Sequence, residues 1–253
     1  MTTRGRPTAD EPSGAPIRCT ALVRIFESEG VEVVALQGVD LEVEPGEMVA
    51  LVGEARSGKS TLLAILAGND LPTSGRVVVA GIEVAALTPA ERLRYRRQVT
   101  GLVSRGGSDD LLPYLTAHEN VALTLSVRGV DRSEQSEQAR QLTERVGLTG
   151  RADLRPVRLT PLERWRAALA VALANDPRVL LVDEPTDRSD RSVGVAAMEL
   201  LQELSIELGL TVVVATGDAE LATSADRTIM IDDGRIAADP LVARDSGRPR
   251  SKR

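Results

Sequence analysis

Runs and alternations of apolar residues divide the chain into a short series of elements. Ile17 to Phe26, Val31 to Leu36 and Val39 to Val43 read as three strands, and their spacing predicts an antiparallel β subdomain. Pro45-Gly46 turns the chain into Met48 to Val52, an apolar run of strand length. Thr61 to Ala67 reads as a buried helix stopped by Gly68, and Gly75 to Gly81 as a strand with glycine at both ends. Thr88-Pro89-Ala90-Glu91 opens a helix with a threonine cap, proline at the first position and an acid three residues after the cap. Arg92, Arg94, Arg96 and Arg97 follow as its solvated face.

Val99 to Val103 is a short strand, and Ser104 to Asp110 a polar loop. The largely apolar Leu111 to Val127 and the polar helix Glu134 to Val146, stopped by Gly147, form a helical insertion. Arg166 to Ala174 is an Ala/Leu helix. Val179 to Val182 is wholly apolar, as strands buried inside parallel sheets are. Val193 to Leu208 is a helix ending at Gly209, and Thr211 to Ala215 a further parallel-type strand. Ile229 to Ile231 and Arg235 to Ala237 flank an Asp-Gly turn, a hairpin pattern. The sum is an α/β chain: a mostly parallel sheet flanked by helices, an N-terminal antiparallel β subdomain and a helical insertion.

Gly53-Glu54-Ala55-Arg56-Ser57-Gly58-Lys59-Ser60-Thr61 stands between the Met48 to Val52 strand and the helix after it. Gly, four residues and Gly-Lys-Ser in a strand–loop–helix setting is the phosphate-binding loop pattern. The glycines let successive N–H groups turn inward, and the helix N-terminus adds partial positive charge. Lys59 would bridge the outer phosphates, and Ser60 would offer its hydroxyl to Mg²⁺. The alternative, a loop that only joins a strand to a helix, leaves the agreement of pattern and context unexplained. Lys occurs only at 59 and 252 among 31 cationic residues, so the one Lys of the folded part sits where a compact ammonium is wanted.

Composition narrows the classes. A net charge of −6 argues against sequence-independent nucleic-acid binding. One Cys and one His exclude an internal disulfide and zinc clusters, and fit a reducing compartment. No apolar run reaches membrane-spanning length and the N-terminus has no signal-peptide core, so a soluble chain, or one held at a membrane by a partner, is expected.

Asp183 and Glu184 end the Val179 to Val182 run. An Asp there is placed to hold Mg²⁺, and a Glu beside it to orient or deprotonate an attacking water. With these residues in place, the chain from about Ile17 to Asp239 resembles the nucleotide-binding subunits of ABC transporters, which belong to the P-loop NTPases. The phosphate loop and Val179 to Thr186 match without change, and Ala225-Asp226-Arg227 and Asp233-Gly234-Arg235-Ile236 match as well. The nearest look is the subfamily serving lipoprotein release, macrolide export and cell-division transmembrane complexes.

The resemblance implies several assignments. Phe26 falls where the family stacks an aromatic on adenine. Leu111 to Val121 is similar to the region that receives the coupling helix of the membrane subunit, and Asp190 matches the Asp of a loop that crosses the dimer interface. ATP and Mg²⁺ are the implied cofactors. A transmembrane permease subunit and a second ATP-binding subunit, in a homodimer or heterodimer, are the implied partners, with no nucleic acid. The implied place is cytoplasmic, peripheral on the plasma membrane. The expected organisation is a disordered tail over 1–16, an ATP-binding domain over 17–240 with a helical subdomain about 104–160, and a basic flexible tail over 241–253.

Three family elements are altered. The signature Leu-Ser-Gly-Gly-Gln/Glu reads Leu159-Thr160-Pro161-Leu162-Glu163. Pro161 has no N–H and Leu162 blocks close backbone approach, so anion binding at the helix tip is weakened, while Thr160, Pro161 and Glu163 make a good helix start. The switch histidine is missing, because the stretch reads Thr216-Gly217-Asp218; His118, the only histidine, lies in the helical insertion and reads as a surface residue. No Gln lies between Gln98 and Gln135, and Ser104 and Arg105 align with the family's glutamine. Asp109 and Asp110 are expected to be solvated loop acids. An ATPase with slow hydrolysis, Glu184 polarising the water, is the leading expectation. The alternatives are a non-hydrolytic ATP-binding regulatory or scaffold subunit, such as the degenerate half of a heterodimer, and a P-loop kinase for a small molecule.

Overall fold

A computed structural model describes residues 14–28, 30–185 and 191–236. The chain runs β1 (Ile17–Ser28), β2 (Val31–Val43), β3 (Met48–Val52), α1 (Lys59–Leu66), β4 (Ser74–Val79), β5 (Ile82–Glu83), α2 (Pro89–Gln98) and β6 (Thr100–Val103). It continues with α3 (Ala117–Arg128), α4 (Arg132–Arg145), α5 (Pro161–Leu173), β7 (Val179–Asp183), α6 (Arg191–Leu208), β8 (Thr211–Thr216), β9 (Arg227–Asp232) and β10 (Arg235–Ile236). Two sheets result: an antiparallel one in the order β2-β1-β4-β5, and a six-stranded one in the order β10-β9-β3-β8-β7-β6. Within the second, β9, β3, β8, β7 and β6 are parallel and β10 pairs antiparallel with β9.

The wholly apolar strands explain the layering, because their period of two sends side chains to both faces. Val49, Leu51, Leu181, Val213 and Ala215 join Leu62, Leu63, Ile65 and Leu66 of α1 and the inner face of the antiparallel sheet in one core. Leu180, Val182, Val212 and Val214 face the other way, into a core with α3, α4, α5 and α6. The phosphate-loop helix is therefore packed between two sheets, with Leu62, Ile65 and Leu66 fully buried.

Two boundaries differ from expectation. The strands expected at Val31 to Leu36 and Val39 to Val43 are one strand. The register passes from Leu22–Val39 to Val23–Gln37, and the extra residue, Gly38 at φ +78°, is absorbed as a bulge. Gly14 and Ala15, expected in the N-terminal tail, belong to the folded part. Gly14 donates to the Gly209 carbonyl at 2.6 Å and Ala15 to Thr211 Oγ1 at 3.0 Å, and Ala15 is buried. Residues 1–13 of that tail, the expected basic tail and Asp190 lie outside the described residues.

Candidate functional site

The parallel strands carry the expected phosphate loop and acids to one edge of the sheet. β3 enters the loop after Val52, and β7 ends at Asp183, with β8 between them in register Leu51–Ala215–Asp183. Two strand spacings put the two lips about 9–10 Å apart. Gly53 is required by space, since a Cβ there would lie 2.1 Å from the Ile231 carbonyl oxygen. Gly58 turns into α1 at φ +103°, and its missing Cβ leaves room for the Ala35 carbonyl. The Asp233-Gly234 turn braces the loop, Gly234 donating to the Ser57 carbonyl at 3.0 Å while its own carbonyl accepts from Gln37 at 2.8 Å.

Lys59 is 4% exposed, and its Nζ donates to the Gly53 and Glu54 carbonyls at 2.7 Å each and to Ser57 Oγ at 3.2 Å. The ammonium thus lies folded inside the loop's own curl. Glu54, Ala55 and Arg56 form its exposed rim, Arg56 at φ +68°; Ser60 is exposed and Thr61 half-buried at the start of α1, which has no side-chain cap. An uncapped helix N-terminus beside a buried ammonium is suited to phosphate oxygens.

Across β8, Asp183 Oδ1 is buried without a hydrogen-bond partner. An orphaned acceptor is costly, and a cation satisfies it. Among the described residues no group of three or more Asp, Glu, His or Cys could hold a metal alone. A lone carboxylate acceptor is enough for Mg²⁺, which keeps waters and phosphate oxygens and takes one or two protein ligands. The residues present therefore fit Mg-ATP: Lys59 and the loop N–H groups for phosphates, Asp183 and Ser60 for the metal.

Glu184 follows at φ +43°, its N–H donating to the Ala215 carbonyl at 2.9 Å and its side chain mostly buried. A non-glycine residue in that region is strained, and such strain gathers at working sites. Its Oε1 forms an ion pair with Arg105 Nη2 at 3.1 Å. The sequence singled out both residues without joining them, since they are far apart in the chain.

Phe26, near the far end of β1, is 39% exposed, and the Arg24 guanidinium lies 4.2 Å from its ring centroid. Asp70 holds Arg24 by two bonds of 2.8 Å, so the cation is fixed on one face of the ring. Neither Arg24 nor Asp70 was singled out by the sequence. The alternation of β1 puts both Arg24 and Phe26 on one face, which was the available signal.

The altered elements fold as ordinary caps. Thr160 Oγ1 accepts from the Glu163 N–H at 3.3 Å, and the Glu163 carboxylate accepts from the Thr160 N–H at 2.8 Å. Arg151 and these bonds hold Glu163 down to about 2. Asp218 Oδ1 accepts from Glu220 N–H at 2.9 Å, capping the turn after β8. His118 Nε2 lies 3.4 Å from Ser136 Oγ within the helical insertion. Asp110 departs from the expected solvated acid. Its two oxygens accept from the Ser104 N–H at 2.7 Å and hydroxyl at 2.8 Å, closing the loop between. Burial pushes its carboxyl above the ordinary value, against those two bonds. Asp109 is exposed.

Comparison with known proteins gives the family. The ABC transporter family model matches residues 36–187. The chain belongs to that family. It is an ATP-binding subunit of the ABC ATPase type, the kind that serves a membrane permease. It is 44% identical to the lipoprotein-releasing system ATP-binding protein LolD of Ruegeria pomeroyi over 82% of this chain and 90% of that one. It is also 44% identical to the macrolide export ATP-binding/permease protein MacB of Rhodopirellula baltica over 81% of this chain, but spans only 30% of that longer protein. A dimeric ATP-binding cassette in a post-hydrolysis state with ADP and Pi superposes with a TM-score of 0.80 at 33% identity, covering 87% of this chain and 96% of the other. The expected α/β fold class with its antiparallel sheet is that of these cassettes.

Proposed function

We propose that the subunit binds Mg-ATP at the edge where β3 and β7 end. The loop Gly53 to Thr61 wraps the phosphates, Lys59 turns from the loop carbonyls to the outer phosphates, and Asp183 with Ser60 takes Mg²⁺. Phe26 receives the adenine on the ring face opposite Arg24. When bound, Mg-ATP supplies the activated phosphoanhydride; Glu184 orients water beside it. The observation that carries this reading is the orphaned Asp183 Oδ1 at the end of β7, one strand removed across β8 from β3, whose following loop holds the buried ammonium of Lys59.

The chain works as a pair, with itself or with a second cassette. It rests on a membrane permease through residues 111–130, where Leu112, Tyr114, Leu123 and Val127 are exposed. None of the described helices is long and apolar enough to cross a membrane, so attachment through such a partner, on the cytoplasmic face, is consistent. The ATP-binding domain, expected over 17–240, starts by Gly14, and its helical part is about 104–160. Hydrolysis is slow, because Pro161 and Gly217 remove donors and each lost transition-state donor costs about 10²–10³ in rate. A second reading, ATP as a structural ligand without turnover, is favoured by the Arg105 guanidinium on Glu184.

Calorimetry tests the site. Wild-type chain is expected to bind ATP in a magnesium-dependent way, and Lys59→Ala to lose at least about tenfold in affinity, on the order of one charge-assisted hydrogen bond. Unchanged binding by Lys59→Ala sinks the reading. Phosphate release with and without the permease separates slow turnover from none.

A further inference from the structure

The loop that carries Arg105 is built. Ser104 and Asp110 clip the base of its loop. Gly106 donates to the Glu184 carbonyl at 3.5 Å, and Gly107, at φ +67°, lies so flat on α5 that a Cβ would come within 2.8 Å of Ala168 Cβ. Held at both sides, the loop delivers the guanidinium to Glu184 Oε1. The pair is asymmetric: the Glu184 side chain is 11% exposed and that of Arg105 61%. Arg105 therefore loses little hydration, whereas Glu184 without it would be a nearly buried carboxylate with no other ion pair within 4 Å among the described residues.

From this we infer that Arg105 is a positioning residue that neutralises Glu184 so that the site accepts a terminal phosphate. The inference rests on the nucleotide-site reading above. Glu184 continues from Asp183 on the phosphate-facing edge, so an uncompensated carboxylate there repels a γ-phosphate. ADP lacks that group and is indifferent to it. The same contact occupies one carboxylate oxygen, so Arg105 also restrains Glu184 as a base. A neutral glutamine at 105 would leave the carboxylate free to act as a base and the terminal phosphate held more weakly.

The test is a double-mutant cycle read by binding of a non-hydrolysable ATP analogue and of ADP, each with magnesium. Arg105→Ala is expected to weaken the analogue about tenfold, below the loss for a fully buried charge pair because the arginine side is exposed, and ADP less than about twofold. In a Glu184→Gln background the same change should cost less than about twofold, because no carboxylate remains to be neutralised. Arg105→Lys, which keeps the charge, should retain analogue affinity within about threefold. In steady state, Arg105→Gln should raise KM and raise kcat together, a split that loss of loop structure would not give. Equal losses of analogue and ADP, or an undiminished loss in the Glu184→Gln background, overturn the inference while leaving the nucleotide site standing. A wild-type chain that binds neither nucleotide overturns both.

Discussion

Asp183→Asn is expected to stabilise the chain alone and to destabilise it relative to wild type once Mg-ATP is present. The buried Oδ1 has no donor, and an unsatisfied buried acceptor costs roughly 1–3 kcal/mol. An amide carries no formal charge, so its desolvation is smaller, and a gain of about 1 kcal/mol in the absence of nucleotide follows. For a domain of this size that raises the Tm by about 2–4 °C. Mg-ATP at about 100 times its Kd adds about 2.7 kcal/mol to the wild type, or roughly 5–10 °C. The variant, lacking the carboxylate proposed to hold the metal, should gain a small part of that. Thermal denaturation with and without Mg-ATP should therefore show the order of the two proteins reversing. A variant that melts lower than wild type in buffer and keeps the full Mg-ATP shift refutes both the orphaned acceptor and the metal assignment.

Phe26→Ala should weaken ATP binding about threefold to tenfold, the size of one aromatic stacking contact, whereas Phe26→Tyr should stay within about twofold; equilibrium titration with a fluorescent ATP analogue measures both. Glu163 supplies the pH dependence. Its folded value of about 2 lies below the ordinary 4.5, so the stability it lends is complete above pH 4.5 and is lost as pH falls from there towards 2. Urea denaturation across that window should show a shallower acid decline for Glu163→Gln; a decline identical to wild type counts against the cap and the Arg151 pair as its cause.

The sequence by itself determined what is local. Gly53 to Thr61 specifies a turn of N–H groups because the glycine spacing sits inside nine consecutive residues. The capping boxes at Thr88 and Thr160 follow from a threonine and a glutamate three apart, and both are formed. A third, at Thr116 and Glu119, carries the same signal and is formed as well. The apolar runs at β3, β7 and β8 announced strands buried on both faces.

Tertiary structure decided what depends on residues distant in the chain. Only folding shows that Gly38 bulges rather than ends a strand, since its pairing partner lies on β1. Only folding ties Gly14 to Gly209, and Asp110 to the base of its own loop rather than to solvent. The Arg105–Glu184 contact is of the same kind: 105 follows β6 and 184 follows β7, and parallel pairing of those strands brings both to one edge. A charge is legible in a sequence, but the charge it answers is fixed by strand order, through contacts that no local pattern encodes.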